Sequence, residues 1–197
     1  MRADLEIISN WVKPGSHLLD LGCGDGTLLR HLMDTRQVTG YGLEINADNI
    51  TACIEKGVNV IEQNLDTAGL SNFPDQSFDL VVMTQALQAV RRPDLLLDEM
   101  LRVGREAIVT FPNFGHWRLR TWLMIKGRMP ESRTLPYKWY NTPNIHLCTF
   151  KDFEELCVQK NVYIRQRMVV DDAHRDRWFI QIWPNMLGQV AIYHVSR

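Results

Sequence analysis

Short blocks of apolar residues recur along the chain, and residues at helical spacing separate one block from the next. Five of these blocks, ending at Leu21, Glu44, Glu62, Met83 and Phe111, are typical of buried strands in a parallel sheet. Helices are predicted before and between the strands, over residues 2–12, 27–33, 46–56 and 93–103. Strands that alternate with helices in this way predict an α/β fold with a doubly wound, parallel sheet and helices on both faces.

The last third of the chain predicts how this sheet closes. Thr149 is placed to cap a helix that continues to residue 160, with an acid at its third position. The runs 163–170 and 189–195 are predicted to be the last two strands. The fold is then a mostly parallel seven-stranded sheet with an antiparallel edge strand.

Two segments near the C-terminus are harder to interpret. The apolar run 178–183 is either a strand or a loop that plugs the sheet edge, and residues 171–176 are predicted to be a polar turn. No repeat or low-complexity stretch divides the chain. We therefore interpret residues 1–197 as a single domain that carries an aromatic and basic insert at about 112–148.

The first strand leads into the following helix through three glycines at alternate positions, Gly22, Gly24 and Gly26. A backbone without side chains can approach a ligand closely, and the start of a helix offers free N–H groups and a positive dipole end. We interpret this glycine turn as the cradle of a nucleoside-type ligand. The alternative is a glycine turn that only packs the helix on the sheet.

The turn differs from the Gly-x-Gly-x-x-Gly fingerprint of dinucleotide-binding folds. Thr27 stands where that fingerprint needs its third glycine, and the acid Asp20 precedes the turn on the strand. A carboxylate there would repel a pyrophosphate, whereas it suits an ammonium or sulfonium group. The pattern resembles motif I of the class I S-adenosylmethionine (SAM)-dependent methyltransferases. A nicotinamide-dependent oxidoreductase is an alternative that both residues disfavour.

Further ligand-binding residues are expected where the strands end. Glu44 is expected to accept hydrogen bonds from ribose hydroxyls, with a solvated strand-end acid as the alternative. The resemblance implies an acid that meets the adenine amino group; Asn64 stands at that position and Asp66 follows, so the assignment is open. The residues predicted to bind SAM or S-adenosylhomocysteine are Asp20, Gly22, Cys23, Gly24, Asp25, Gly26, Glu44, Ile45, Asn64, Leu65, Asp66, Thr84 and Gln85.

The insert combines aromatic and cationic residues, which together are typical of interfaces. It could also form a lid over the ligand. The alternatives are an ordinary amphipathic helix over 117–126 that packs on the core, and a surface that stacks on single-stranded nucleic acid. The candidates for binding a partner are Trp117, Arg118, Arg120, Trp139 and Tyr140.

Composition narrows the functional classes. The 22 Lys and Arg residues are balanced by 23 Asp and Glu residues, which disfavours a general nucleic-acid or anionic-membrane surface. No apolar run approaches the roughly 20 residues of a membrane span, and the N-terminus lacks the apolar core of a signal peptide. The four cysteines have neither disulfide nor metal-ligand spacing, so we expect a cytoplasmic protein with no metal site.

One residue is a candidate for catalysis. His116 lies just beyond the fifth strand and could act as a general base for methyl transfer, although a histidine among aromatic residues commonly has a structural role. The segment 110–113 does not match the Asn/Asp-Pro-Pro-Tyr/Phe signature of methyltransferases that act on bases or glutamine. The sequence also has no Gly-x-Ser-x-Gly elbow, so an acyl-transferring serine is not expected.

Four stretches carry a closer resemblance: QALQAVRRP at 85–93, FPNFGHWR at 111–118, GRMP at 127–130 and LPYKWYNTPNIHLC at 135–148. They resemble the methionine-biosynthesis MetW family, and the match extends over nearly the whole chain. The resemblance implies a methyltransferase fold that acts as an accessory or activating subunit of homoserine O-acyltransferase. Because SAM is made from methionine, a SAM pocket on such a subunit could report the end-product level. The alternative is an active SAM-dependent methyltransferase with a small-molecule acceptor.

Overall fold

A computed structural model describes residues 3–171 and 178–197 of the chain. In this part of the chain one sheet contains seven strands: β1 (His17–Leu21), β2 (Thr39–Glu44), β3 (Val60–Glu62), β4 (Phe78–Thr84), β5 (Gly104–Pro112), β6 (Tyr163–Val170) and β7 (Val190–Ser196). Their order across the sheet is β3-β2-β1-β4-β5-β7-β6. Strands β1 to β5 pair in parallel, and β7 runs antiparallel to both β5 and β6. The predicted mostly parallel seven-stranded sheet with an antiparallel edge is therefore confirmed.

The helices that cover this sheet follow the predicted alternation. Among the described residues they are α1 (Ala3–Trp11), α2 (Thr27–Arg36), α3 (Ala47–Glu55), α4 (Leu65–Ala68), α5 (Pro93–Val103), α6 (Trp117–Lys126), α7 (Phe150–Gln159), α8 (Trp178–Ile182) and α9 (Pro184–Leu187). A 3-10 turn at Leu87–Ala89 follows β4. No helix among the described residues is long and apolar enough to cross a membrane.

Alternate side chains of the central strands enter two apolar cores, one on each face of the sheet. Leu18 of β1 packs with α1 and α2 on one face, and its neighbour Leu19 packs with α5 and α7 on the other. Both leucines are fully buried. The period of two in the strands therefore explains why helices are needed on both sides.

Local signals set the ends of several helices. The Thr149 side chain accepts a hydrogen bond from the backbone N–H of Asp152, whose carboxylate accepts one from the Thr149 N–H, so the predicted cap of α7 is a full capping box. Asn46 caps α3 by accepting hydrogen bonds from two backbone N–H groups.

The segment 178–183 is a correction to the sequence analysis, because it forms neither a strand nor a loop. Residues 178–182 form the short helix α8, which packs against β6 and buries Ile180. A short apolar run does not distinguish a buried strand from a buried helix, and β6 already occupies the sheet edge that this segment was expected to fill. The polar turn predicted over 171–176 lies, after its first residue, outside the described residues.

Candidate functional site

The carboxyl ends of β1, β2 and β4 meet where the strand order reverses. Asp20 of β1 lies beside Gly42 of β2 and Val82 of β4 in the parallel register, and Glu44 is the last residue of β2. Open α/β sheets bind ligands at such a crevice, beyond the carboxyl ends of the strands. The topology therefore brings Asp20, Glu44 and the glycine turn together.

The glycine turn needs the conformational freedom of glycine. Gly22, Gly24 and Gly26 have φ angles of 66°, 55° and 73°, in the left-handed region that side chains disfavour. A Cβ on Gly26 would lie 2.9 Å from the Sγ atom of Cys53 on α3. The N–H groups of Gly22 and Cys23 both donate to the carbonyl oxygen of Leu43 on β2. The turn is thus fixed against its neighbours.

Asp20, on the strand before this turn, has no hydrogen-bond partner among the described residues. Its side chain is 1% exposed, and neither carboxyl oxygen has a partner among the described residues. Burial, and secondarily the nearby charge of Glu44, raise the pKa of Asp20 to about 7. A buried carboxyl with two free acceptor atoms fits a cationic group, such as the ammonium or sulfonium of SAM.

Glu44 is buried, and its carboxylate binds backbone N–H groups of the glycine turn and of the residues that follow β2. One carboxylate oxygen accepts a hydrogen bond from the Gly24 N–H at 2.8 Å, and the other accepts from the N–H groups of Ile45 and Asn46 at 2.8 and 2.9 Å. A carboxylate has about four lone-pair sites, so one acceptor site is left for a ribose hydroxyl. Glu44 is therefore not a solvated strand-end acid, and its contact with ribose stays a prediction.

The two residues considered for adenine both bind backbone groups. Asn64 caps α4 by accepting a hydrogen bond from the Asp66 N–H at 2.9 Å. One carboxylate oxygen of Asp66 accepts from the Arg91 N–H at 2.7 Å, and its other oxygen has no partner among the described residues. Leu65 packs against the core between them. Both side chains keep acceptor capacity for an adenine amine, so the choice between Asn64 and Asp66 stays a prediction.

Two other predicted ligand residues, Asp25 and Ile45, differ in whether they are bound within the protein. Asp25 accepts hydrogen bonds from Lys56 and Thr27, and the Lys56 ammonium chiefly lowers the pKa of its carboxyl. This carboxylate therefore ties the glycine turn to the end of α3. In contrast, Ile45 is 58% exposed beyond β2 and offers an apolar surface to a base.

At the end of β4 the chain turns sharply beside the same crevice. Thr84 is half-buried, and Gln85 has a φ angle of 54°, which is uncommon for a residue other than glycine. The Gln85 N–H donates to the carbonyl oxygen and the Oγ1 atom of Thr110 on β5. Strained backbone held by neighbouring strands is frequent at ligand sites.

The candidate residues of the insert lie in and around α6. His116 is 5% exposed, and its Nδ1 atom accepts a hydrogen bond from the Arg118 N–H, so it caps α6. The Arg118 guanidinium lies over the Trp117 ring, and Arg120 donates to the Gly115 carbonyl oxygen. Trp139 and Tyr140 are exposed and contact each other edge to face. The capping bond gives His116 a structural role, and its catalytic role stays a prediction.

The comparison with known proteins decides the family. The model of the family described as "Methionine biosynthesis protein MetW" matches residues 2–195. The chain belongs to the MetW family. The bifunctional methionine biosynthesis protein MetXA/MetW of Rhodopirellula baltica is 36% identical over 206 residues, which cover 100% of this chain and 33% of that protein. The chain thus spans about a third of the length of this relative.

More distant relatives of this MetW-family chain are methyltransferases. It is 31% identical to the demethylmenaquinone methyltransferase of Symbiobacterium thermophilum, over 64% of the chain and 60% of that protein. A crystal structure of a SAM-dependent methyltransferase from Archaeoglobus fulgidus superposes with a TM-score of 0.71 and 15% identity, covering 100% of this chain and 92% of that one. These similarities establish a class I SAM-methyltransferase fold for a chain whose family belongs to methionine biosynthesis.

One residue that sequence reasoning missed joins the turn after β4 to both ends of the insert. Gln88, in the 3-10 turn after β4, is 1% exposed, and its Nε2 atom donates to the carbonyl oxygens of Pro112 and Cys148. Its Oε1 atom has no partner among the described residues. The sequence gives no signal that this glutamine is buried, so only the structure reveals the link between the turn after β4 and the insert.

The described residues contain no group of three or more His, Cys, Asp or Glu side chains that could hold a metal ion. The Sγ atoms of Cys23 and Cys53 lie 3.8 Å apart under the glycine turn, and burial is the main cause that raises the pKa of both thiols. Their burial explains the packing of the turn, and the contact of Cys23 with SAM stays a prediction.

Proposed function

We propose that this chain binds SAM in the glycine-turn cradle and acts as an accessory subunit of homoserine O-acyltransferase in methionine biosynthesis. The observation that carries the proposal is the similarity to the bifunctional MetXA/MetW protein. The whole of this chain aligns with one third of that protein. We take its MetXA part as the acyltransferase that the family resemblance implies. Two activities joined in one chain in that relative support an association between separate chains here.

The cradle supports SAM as the ligand. The carboxyl of Asp20, which has no hydrogen-bond partner among the described residues, would hold the cationic amino acid, and the three glycines carry no side chain that would block the close approach of a ligand. Glu44 would use its remaining acceptor site for a ribose hydroxyl, and Asn64 or Asp66 would accept from the adenine amine. When bound, SAM supplies an electrophilic methyl group on a sulfonium. S-adenosylhomocysteine would bind the same residues with a weaker attraction to Asp20.

A regulatory role for SAM follows from its origin in methionine. If SAM binds the free subunit and the complex with different affinities, linkage requires it to change the affinity of the subunit for the acyltransferase by the same factor. Gln88 follows β4, whose carboxyl end lies at the crevice, and its side chain donates to both ends of the insert, so it is the residue through which we expect this coupling. We also place this protein in the cytoplasm, in keeping with its four free cysteines.

A second candidate function is methyl transfer to a small-molecule acceptor. It is favoured by the relatives that are themselves named methyltransferases. His116 would have to release its capping bond before its Nδ1 atom could accept a proton. Production of S-adenosylhomocysteine with a defined acceptor, abolished in Asp20→Asn, would support this function over the accessory one.

Calorimetry tests both parts of the proposal. We expect the chain to bind purified homoserine O-acyltransferase from the same organism, and to bind SAM with different dissociation constants alone and in the complex. Asp20→Asn should abolish SAM binding, whereas Glu62→Gln, which changes an exposed carboxylate on β3, should leave it unchanged. Absence of any complex at micromolar concentrations would refute the accessory role, and equal dissociation constants would refute the coupling.

A further inference from the structure

Helix α6 is unusual because it leaves most of its apolar residues in solvent. Leu119 is the one residue of α6 that is buried. The consecutive residues Trp122, Leu123, Met124 and Ile125 are 46%, 49%, 78% and 71% exposed. The helix is thus not the ordinary amphipathic helix, packed on the core by one face, that the sequence analysis considered as an alternative.

The residues that point away from the fold form a continuous strip. At about 100° per residue, Trp117, Thr121 and Met124 lie on the side of the helix opposite Leu119, and Ile125 borders them. The Thr121 hydroxyl donates to backbone carbonyl oxygens of the preceding turn, so it does not need a hydrogen bond to water. We call these four residues the outer face of α6. A contiguous apolar patch of this kind marks a binding site, whereas single exposed apolar residues do not.

The insert that carries the outer face is rich in positive charge. Residues 113–148 contain six cations against a single acid, Glu131. None of the six forms an ion pair with another described residue. These cations are Arg118, Arg120, Lys126, Arg128, Arg133 and Lys138. An exposed apolar face on a cation-rich segment fits a protein surface that combines apolar residues with acidic ones.

A cavity beside the helix adds a place for an anchoring side chain. It has a volume of about 280 Å³ and lies between α6 and residues 130–134, with Leu119 and Trp122 on its apolar wall and Arg133 at its border. Interfaces concentrate their binding energy where a large side chain enters such a pocket. The outer face and all but one of the residues that line the cavity belong to the insert.

We propose that the outer face of α6 is the surface on which the acyltransferase docks. This inference rests on the proposed function and adds the location of the contact. The occupant is argued from the MetXA/MetW relative, in which a segment matching this whole chain is joined to a MetXA part. In the fused relative the covalent link keeps the two parts at a high effective concentration. Separate chains lack this link, so this chain must bind its partner through a surface of its own. The acyltransferase is predicted to carry a complementary surface that combines apolar residues with acidic ones.

The test compares a double variant on the outer face with a single control variant on another helix. Met124→Glu combined with Ile125→Glu places two carboxylates on the outer face, whereas Val158→Glu places one on α7 at a side chain that is 77% exposed. We expect the first variant to weaken binding of the intact acyltransferase at least tenfold by calorimetry, and Val158→Glu to bind as the wild type. SAM titration and thermal unfolding of each variant verify that the fold and cradle are intact.

The possible outcomes separate this inference from the proposed function. If the wild type binds the acyltransferase and the α6 variant binds equally well, the docking site lies elsewhere and this inference fails alone. If the wild type does not bind at all, the proposed function fails with it. Sedimentation of the wild type alone, and with anionic lipid vesicles, tests the other occupants. A dimer or a vesicle complex that the α6 variant abolishes would assign the outer face to a second copy or to a membrane, and would overturn the inference.

Discussion

Asp20 is expected to make the free protein less stable as the pH rises. Its carboxyl is buried without a partner, so the folded chain holds it near its neutral form, and its pKa is raised from 3.8 to about 7. The unfolded chain has no such burial and ionises near the lower value. Stability is therefore unaffected below pH 3.8, falls as the pH rises from 3.8 to about 7, and is constant above that.

The size of the effect follows from the shift in pKa. One pKa unit corresponds to about 1.4 kcal/mol, so the full shift lowers the free energy of unfolding by about 4 kcal/mol. Between pH 5 and pH 8 the expected change is about 2–3 kcal/mol. Because the side chain is 1% exposed, solvent screening does not reduce this value appreciably.

Urea unfolding at pH 5, 6, 7 and 8 measures this effect directly. Asp20→Asn cannot ionise, so the free energy of unfolding of the wild type should fall relative to this variant by about 2–3 kcal/mol over the range. The comparison of slopes is independent of any constant cost of the amide. Glu62→Gln serves as the control and should follow the wild type. Parallel curves for the wild type and Asp20→Asn would refute the reasoning, because Asp20 would then not titrate in this range.

Three further predictions test other parts of the crevice. SAM affinity of the wild type should rise about tenfold per pH unit from pH 5 to 7, since ammonium binding needs ionised Asp20; a flat calorimetric profile would contradict it. Gly26→Ala should lower the free energy of unfolding by about 2 kcal/mol in urea, because its φ is 73° and its Cβ would crowd Cys53; unchanged stability would show that the turn relaxes. Gln88→Leu should lower the free energy of unfolding by about 1–2 kcal/mol, because the Pro112 carbonyl oxygen loses its hydrogen-bond donor. It should also reduce the effect of SAM on acyltransferase binding, and an unaltered effect would exclude Gln88 from the coupling.

The parts of the fold that follow from local pattern were predictable. The alternation of apolar runs with helical segments gave all seven strands, and the capping residues Thr149 and Asn46 marked where two helices begin. These features depend on neighbours close in sequence. The prediction for the segment 178–183 was wrong, because whether this segment forms a strand or a helix depends on which element already occupies the sheet edge.

The candidate site shows the same division. The glycines, Asp20 and Glu44 could be identified from their spacing, because strand ends bring such residues to one edge of a parallel sheet. Two further features could not be predicted: Asp20 has no partner among the described residues, and Gln88 is buried. Both depend on parts of the chain that are distant in sequence. The exposure of α6 was also hidden, because its sequence is equally consistent with a helix packed on the core.

The central claim is that this chain modulates homoserine O-acyltransferase. Its most direct test is the steady-state acyltransferase rate of the purified partner, measured while this chain is titrated in at fixed substrate concentrations. The account predicts a change in rate that saturates at a defined stoichiometry. In the Met124→Glu, Ile125→Glu variant, saturation should require higher concentrations of the chain. A rate that stays constant up to a large excess of the wild-type chain would contradict it.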